Sequence, residues 1–99
     1  MGEGVNMETT VADKRLIEAA EEFMNMIVRE RGYYNILTAV SYAGDEDVIY
    51  DAEGKAAKKW RSRVYHTVYQ IIKDVHEGKR DMPTNAQMVL ELPDINWNV

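Results

Sequence analysis

The stretch Asp51-Ala52-Glu53-Gly54-Lys55-Ala56-Ala57-Lys58-Lys59-Trp60-Arg61-Ser62-Arg63-Val64-Tyr65-His66-Thr67-Val68-Tyr69-Gln70-Ile71-Ile72-Lys73-Asp74-Val75-His76-Glu77 decides the fold class. Ala57, Trp60, Val64, Val68, Ile71 and Val75 recur in steps of three and four, with Ile72 beside them, which is the spacing of one helix stripe. Tyr65, Tyr69 and Ile72 add a second, aromatic edge at i, i+4 and i+7. Asp51 and Glu53 suit the positive end of a helix dipole, so the reading starts the helix near Asp51 or Ala52. Gly54 costs about 1 kcal/mol relative to Ala and pushes the expected start later. Gly78 ends the helix.

A single amphipathic helix needs a partner, and the N-terminal half supplies one. Between Val11 and about Arg31, Leu16, Ala20, Phe23 and Ile27 form a stripe that Ile17, Met24 and Val28 widen. Thr9 or Thr10 is placed to cap it, with Asp13 in the capping-box position after Thr10. Gly32 stops it. A short helix is expected from Asn35, carried by Ile36, Leu37 and Val40 and ended by Gly44. A strand also fits Tyr, Ile, Thr and Val there, but no partner strand exists. The acidic connection Asp45 to Asp51 encloses Val48, Ile49 and Tyr50, expected to anchor that loop on the core. After the turn from Lys79 to Pro83, Thr84 and Gln87 make a second capping box. A short helix follows from Ala86 to Leu92, with Met88, Val89 and Leu92 inward, until Pro93 stops it. Ile95 and Trp97 are expected to fold back and close the core, with Trp97 against the Trp60 and Val64 side. Met24, Met26 and Met88 are expected to fill core gaps. The sum is an all-α fold: a small helical bundle with two long antiparallel helices and two short ones. It has a flexible N-terminal tail over residues 1–9 and a single helical domain over 10–99.

Composition narrows what such a bundle can do. With 99 residues there is room for one domain. The chain has no cysteine, which removes disulfides, thiolate zinc sites and thiol nucleophiles. The start lacks the basic and apolar regions of a secretory signal. Gly2 is followed at position six by Asn6 and not Ser or Thr, against myristoylation. No apolar run approaches the roughly 18–20 residues that span a bilayer, so the expectation is a cytoplasmic protein without a membrane partner.

The net charge of -5 hides an uneven distribution. Lys55 to Arg80 holds eight basic residues against Asp74 and Glu77, a segment of +6 in a remainder of -11. Lys55, Lys58, Lys59, Arg61 and Arg63 surround Trp60 and precede Tyr65 and Tyr69, so a nucleic-acid surface is one reading. Against it, Trp60 lies on the apolar stripe, where it cannot also stack on a base, and a net acidic chain gains little from phosphate attraction. A protein partner meeting Lys58, Lys59, Arg63, Tyr65 and Tyr69 is the alternative, since tyrosine is enriched at interfaces.

Catalytic and metal motifs are missing. The acidic loop counted from Asp45 holds Tyr50 and Ala56 where a calcium hand needs Gly and Glu. His66 and His76 lie about 15 Å apart on one helix, too far to share a metal, and read as surface or edge residues. Ser41 and Ser62 lack a nucleophile-elbow setting. The expectation is therefore a protein that is not an enzyme and carries no cofactor or metal.

The second half has a recognisable order: Ala52, Ala56 and Ala57, Trp60-Arg61, Tyr69, Val75, Gly78, Arg80, Pro83-Thr84, and Leu92-Pro93-Asp94-Ile95-Asn96-Trp97. Over about residues 42–97 it resembles the C-terminal module of small bacteriophage and prophage proteins encoded among tail and tail-fibre genes. That module runs from a Trp-Arg helix through a Gly-x-Arg turn and a Pro-Thr cap to a Leu-Pro-x-x-x-Trp ending. Ser62 departs from the acid usual after Trp-Arg. The resemblance implies a tail-related structural or assembly accessory acting through protein binding, in the host cytoplasm or carried in the virion. Its implied partner is another phage structural or assembly protein. The leftover apolar stripe on the first helix adds a homodimer as a second form of association. Nucleic acid is the less favoured partner. The resemblance carries no catalytic residues, and Trp60, Pro83, Thr84, Pro93 and Trp97 read as structural anchors.

Overall fold

The computed structural model describes residues 9–98. It contains four helices in chain order: α1 (Val11–Glu30), α2 (Ile36–Ser41), α3 (Val48–His76) and α4 (Asn85–Leu90). The tail expected over residues 1–9 lies outside the described residues except for Thr9, which precedes α1. The architecture is the small all-α bundle that the periodicities require, and among the described residues it has no strand.

Cross-pairs show that α1 and α3 run antiparallel. His76 at the end of α3 meets Asp13 at the start of α1, at 2.9 Å. The Tyr65 hydroxyl donates to Glu21 at 2.6 Å midway. Arg31, just past α1, donates to Glu53 near the start of α3 at 2.8 and 2.6 Å. Between the helices lies the core: Leu16, Ala20, Met24 and Val28 from α1 face Ala57, Trp60, Val64, Val68 and Ile71 from α3. Ile36 and Ala39 of α2 and Met88 of α4 close it. Burial of this stripe is the main driving force, at about 25 cal/mol per Å² of apolar surface.

The caps follow their sequence signatures. Thr10 and Asp13 form a reciprocal box at the head of α1, and Thr84 and Gln87 do the same for α4. The Asn35 side chain accepts the Thr38 N–H at 2.8 Å and starts α2. Gly32, Gly44 and Gly78 take positive φ at the three helix exits.

Several expectations need correction. The second long helix begins at Val48, a turn before Asp51, because the Asp47 side chain accepts the N–H groups of Ile49 and Tyr50. Val48 and Ile49 therefore ride on an exposed first turn and do not anchor a loop on the core; Tyr50 leans on Tyr42, ring centroids 5.0 Å apart. Gly54 is no defect in a fraying start. It lies buried inside α3 because the Tyr42–Ala43 backbone passes against it, 2.2 Å from where a Cβ would stand. Met26 and Leu37 point outward, half or more exposed, so Met26 fills no core gap. The last helix ends at Leu90, and Leu92 is buried beyond it.

The C-terminal segment does close over the bundle, with a different ring partner than expected. The Trp60 indole N–H donates to the Pro93 carbonyl at 2.7 Å. Trp97 stacks on Tyr33 at 6.0 Å, not on Trp60 or Val64, and the Arg31 guanidinium lies over its ring at 5.1 Å. Phe23 meets Trp60 edge-on at 6.2 Å. Trp60 and Trp97 both line one cleft of about 430 Å³ between the end of α1 and the C-terminal segment. Arg31 also holds Glu53 below the usual carboxylate range, with the Tyr33 hydroxyl as the second donor. Burial and that same carboxylate push the Tyr33 phenol well above its ordinary value.

Candidate protein-binding seam

The two long helices leave a seam on the side of Tyr65 and Tyr69. Three depressions run along it and share walls: about 260 Å³ near Asn25 and Leu37, about 530 Å³ beside Tyr65 and Tyr69, and about 200 Å³ near Asp13 and His76. Glu21, Arg61 and Tyr65 separate the first two, and Ile17 and Tyr69 the last two. Over α3 the run from Arg61 to His76 is about 22 Å long at 1.5 Å per residue.

Helical spacing builds the middle of this seam. Tyr65 and Tyr69 are one turn apart, so their rings stack, centroids 6.0 Å apart. Arg61 is one turn earlier and lays its guanidinium over the Tyr65 ring at 4.9 Å. Its Nε is buried without a hydrogen-bond partner among the described residues. The Tyr65 hydroxyl reaches across to Glu21, and burial together with that carboxylate pushes its phenol up to about 12. Tyr65 is thus a pinned wall between α1 and α3, while Tyr69 is 52% exposed and free to meet another surface.

The basic residues expected to join this edge divide between two faces. Lys58 lies seven positions before Tyr65, two turns along the same edge. Lys59 and Arg63 are four apart and share a stripe with Lys55, but Arg63 is two positions from Tyr65, about 200° round the helix. All three of Lys58, Lys59 and Arg63 are exposed and none pairs with a carboxylate within 4.0 Å among the described residues. Lys55 is held by Asp51 at 3.0 Å. Trp60 is 2% exposed and belongs wholly to the core. Pro83 is buried at the corner before α4, where its carbonyl accepts from Arg15 at 3.2 Å. Thr84 caps α4, and Pro93 receives the Trp60 N–H. Trp60, Pro93 and Trp97 therefore act in the C-terminal clasp near Arg31, while Pro83 and Thr84 form a separate corner near Arg15 at the other end of α1.

One pairing was not visible in the pattern. His76 is an exposed edge residue, as expected, and it also pairs with the 1%-exposed Asp13, tying the two chain-distant ends of α1 and α3 together. The capping-box position of Asp13 points to its local partner Thr10 but not to His76, 63 residues away. Among the described residues no cluster of three or more histidines and carboxylates converges as a metal site. No helix among them is long and apolar enough to cross a membrane. Comparisons with protein-family models, with curated proteins and with solved structures find no match to this chain.

Proposed function

We propose that the protein is a tail-related structural or assembly accessory of a bacteriophage or prophage, working by binding another protein along the α1–α3 seam. The observation that carries the binding part is the stacked Tyr65–Tyr69 pair beside a depression of about 530 Å³, with Tyr69 half exposed. Rigid, half-buried tyrosines give a large contact area at small entropic cost. The phage context rests on the ordered residues from Trp60-Arg61 to Trp97, which resemble that group's C-terminal module. The proposal assigns no catalytic step, and its setting is the host cytoplasm or the assembled particle.

The Lys59–Arg63 stripe favours a second reading, nucleic-acid association. Of the five basic residues, however, Lys55 is paired and Arg61 is folded onto Tyr65. The remaining three divide between two faces, so no single groove tracks a phosphate backbone. Retention on generic DNA at low salt that falls steeply with added salt supports the second reading. Disrupting the gene in its phage or prophage and imaging the particles tests the first. Missing, short or fibreless tails support it, and normal infectious particles overturn it.

A further inference from the structure

Two uncovered surfaces of this chain complement each other in apolar character and charge. The first is the corner that leads into α3. Its cap places Val48 and Ile49 on the outer side of the first turn, 80% and 68% exposed, with no cover from the rest of the fold. Asp45, Glu46 and Asp47 precede them, all exposed. Adjacent exposed apolar side chains rimmed by charge mark a contact surface more often than a bare one. The second is the α3 side of the depression beside Tyr65 and Tyr69. From Lys55 to Lys73 this helix carries no acid at all. Glu18 and Glu22 lie on the α1 side, and the carboxylate of Glu21 is engaged by Tyr65. An acidic ligand is therefore directed to the α3 wall. Corner and depression lie on one rigid helix, about 25–30 Å apart at 1.5 Å per residue. A corner cannot reach its own depression, and one molecule can use both at once.

We propose that the protein associates head to tail with copies of itself. Val48 and Ile49 of one copy pack against Tyr65 and Tyr69 of the next, and Asp45, Glu46 and Asp47 face its exposed Lys58. The two surfaces differ, so the interface is heterologous and repetition yields a ring or an open filament. This deepens the proposed function, since it rests on the same tyrosine edge acting through protein contacts.

Sedimentation velocity of the full chain over a concentration series tests it, with two variants. V48D/I49D alters the corner, where added acids at a helix start agree with the dipole. K58E/Y69E alters the depression at exposed positions. Wild type is expected to grow past a dimer with concentration, with assembly about tenfold weaker at about 0.5 M salt than at about 0.05 M. Each variant alone stays monomeric with unchanged helix content. An equimolar mixture contains one intact interface and gives a one-to-one dimer and nothing larger. Wild type that is monomeric at about 1 mM in low salt overturns the proposal. So does either variant that still assembles alone, or a mixture that stays monomeric beside an assembling wild type. A monomeric wild type that still binds a tail protein removes self-association and leaves the proposed function standing. Assembling wild type with normal particles after gene disruption does the reverse.

Discussion

Replacing Gly54 with alanine sets helix propensity directly against packing. In an open helix the change stabilises by about 1 kcal/mol. Here the new Cβ falls 2.2 Å from the Ala43 nitrogen and 2.5 Å from the Tyr42 carbonyl carbon, where ordinary contacts begin at 3.4 Å. Both obstacles are backbone, so no side-chain rotation relieves them. The corner between α2 and α3 must retreat by about 1 Å, which overpacking data place at roughly 1–3 kcal/mol. Retreat also strains the Gly44 N–H to Asp51 hydrogen bond at 2.6 Å and the Tyr42–Tyr50 ring contact. These contribute about 1 kcal/mol each. Net destabilisation is about 2–4 kcal/mol. At about 4–8 °C per kcal/mol for a domain of this size, Tm falls by roughly 8–32 °C. Thermal unfolding followed by far-UV circular dichroism reads this directly. Ser62→Ala, on the exposed face of the same helix, supplies the propensity effect alone and raises Tm slightly. A Gly54→Ala protein that melts at or above wild type refutes the close approach of α3 to the Tyr42–Ala43 backbone.

Further outcomes follow from the pairs that tie distant parts of the chain. Asp13→Ala removes both a helix cap and the His76 contact, and urea unfolding is expected to show a loss of about 2–4 kcal/mol. Thr10→Ala removes only the cap, at about 1 kcal/mol; equal losses contradict a structural role for the His76 pair. Trp60→Phe keeps an aromatic ring but leaves the Pro93 carbonyl without its donor, lowering stability by about 1–2 kcal/mol. Removing residues 96–99 lowers Tm through loss of the Trp97–Tyr33 stack, and an unchanged Tm refutes the clasp. Tyr65 and Tyr33 both favour the neutral phenol when folded. Their contribution is complete below about pH 10, the ordinary tyrosine value, and is lost as pH rises through the folded values, about 12 for Tyr65. Ultraviolet titration is expected to show two phenols ionising above the ordinary value of about 10, and Tyr65→Phe to remove one of these late steps.

The fold was legible wherever burial repeats at helical spacing. Leu16, Ala20, Met24 and Val28 against Trp60, Val64 and Val68 form the core that their three- and four-residue steps require. The boxes at Thr10 and Thr84 were legible because they are local, satisfied within three residues. What failed depends on contacts across the chain. Gly54 reads as a weak helix residue until the Ala43 backbone is placed beside it. Val48 and Ile49 are the exception: they read as core because they are apolar, although the Asp47 cap that makes their turn helical is itself local. Trp97 folds back as its apolar ring at a polar end requires, but four residues beyond a proline leave its direction to Tyr33 and Arg31. The Tyr65–Tyr69 edge was half legible. Lys58, Tyr65 and Tyr69 share a face by spacing alone, and that spacing already separates them from Arg63. The Glu21 partner that pins Tyr65 lies 44 residues away and leaves no local trace.

The central claim is that this protein serves tail assembly through protein contact at the Tyr65–Tyr69 edge. The most direct measurement is the yield of infectious particles from a phage or prophage whose copy of the gene is disrupted, complemented in trans. Wild type is expected to restore the yield, and a folded K58E/Y69E variant of equal abundance is expected to leave it at the level of the disruption. Full yield without any copy, or full restoration by that variant, contradicts the account.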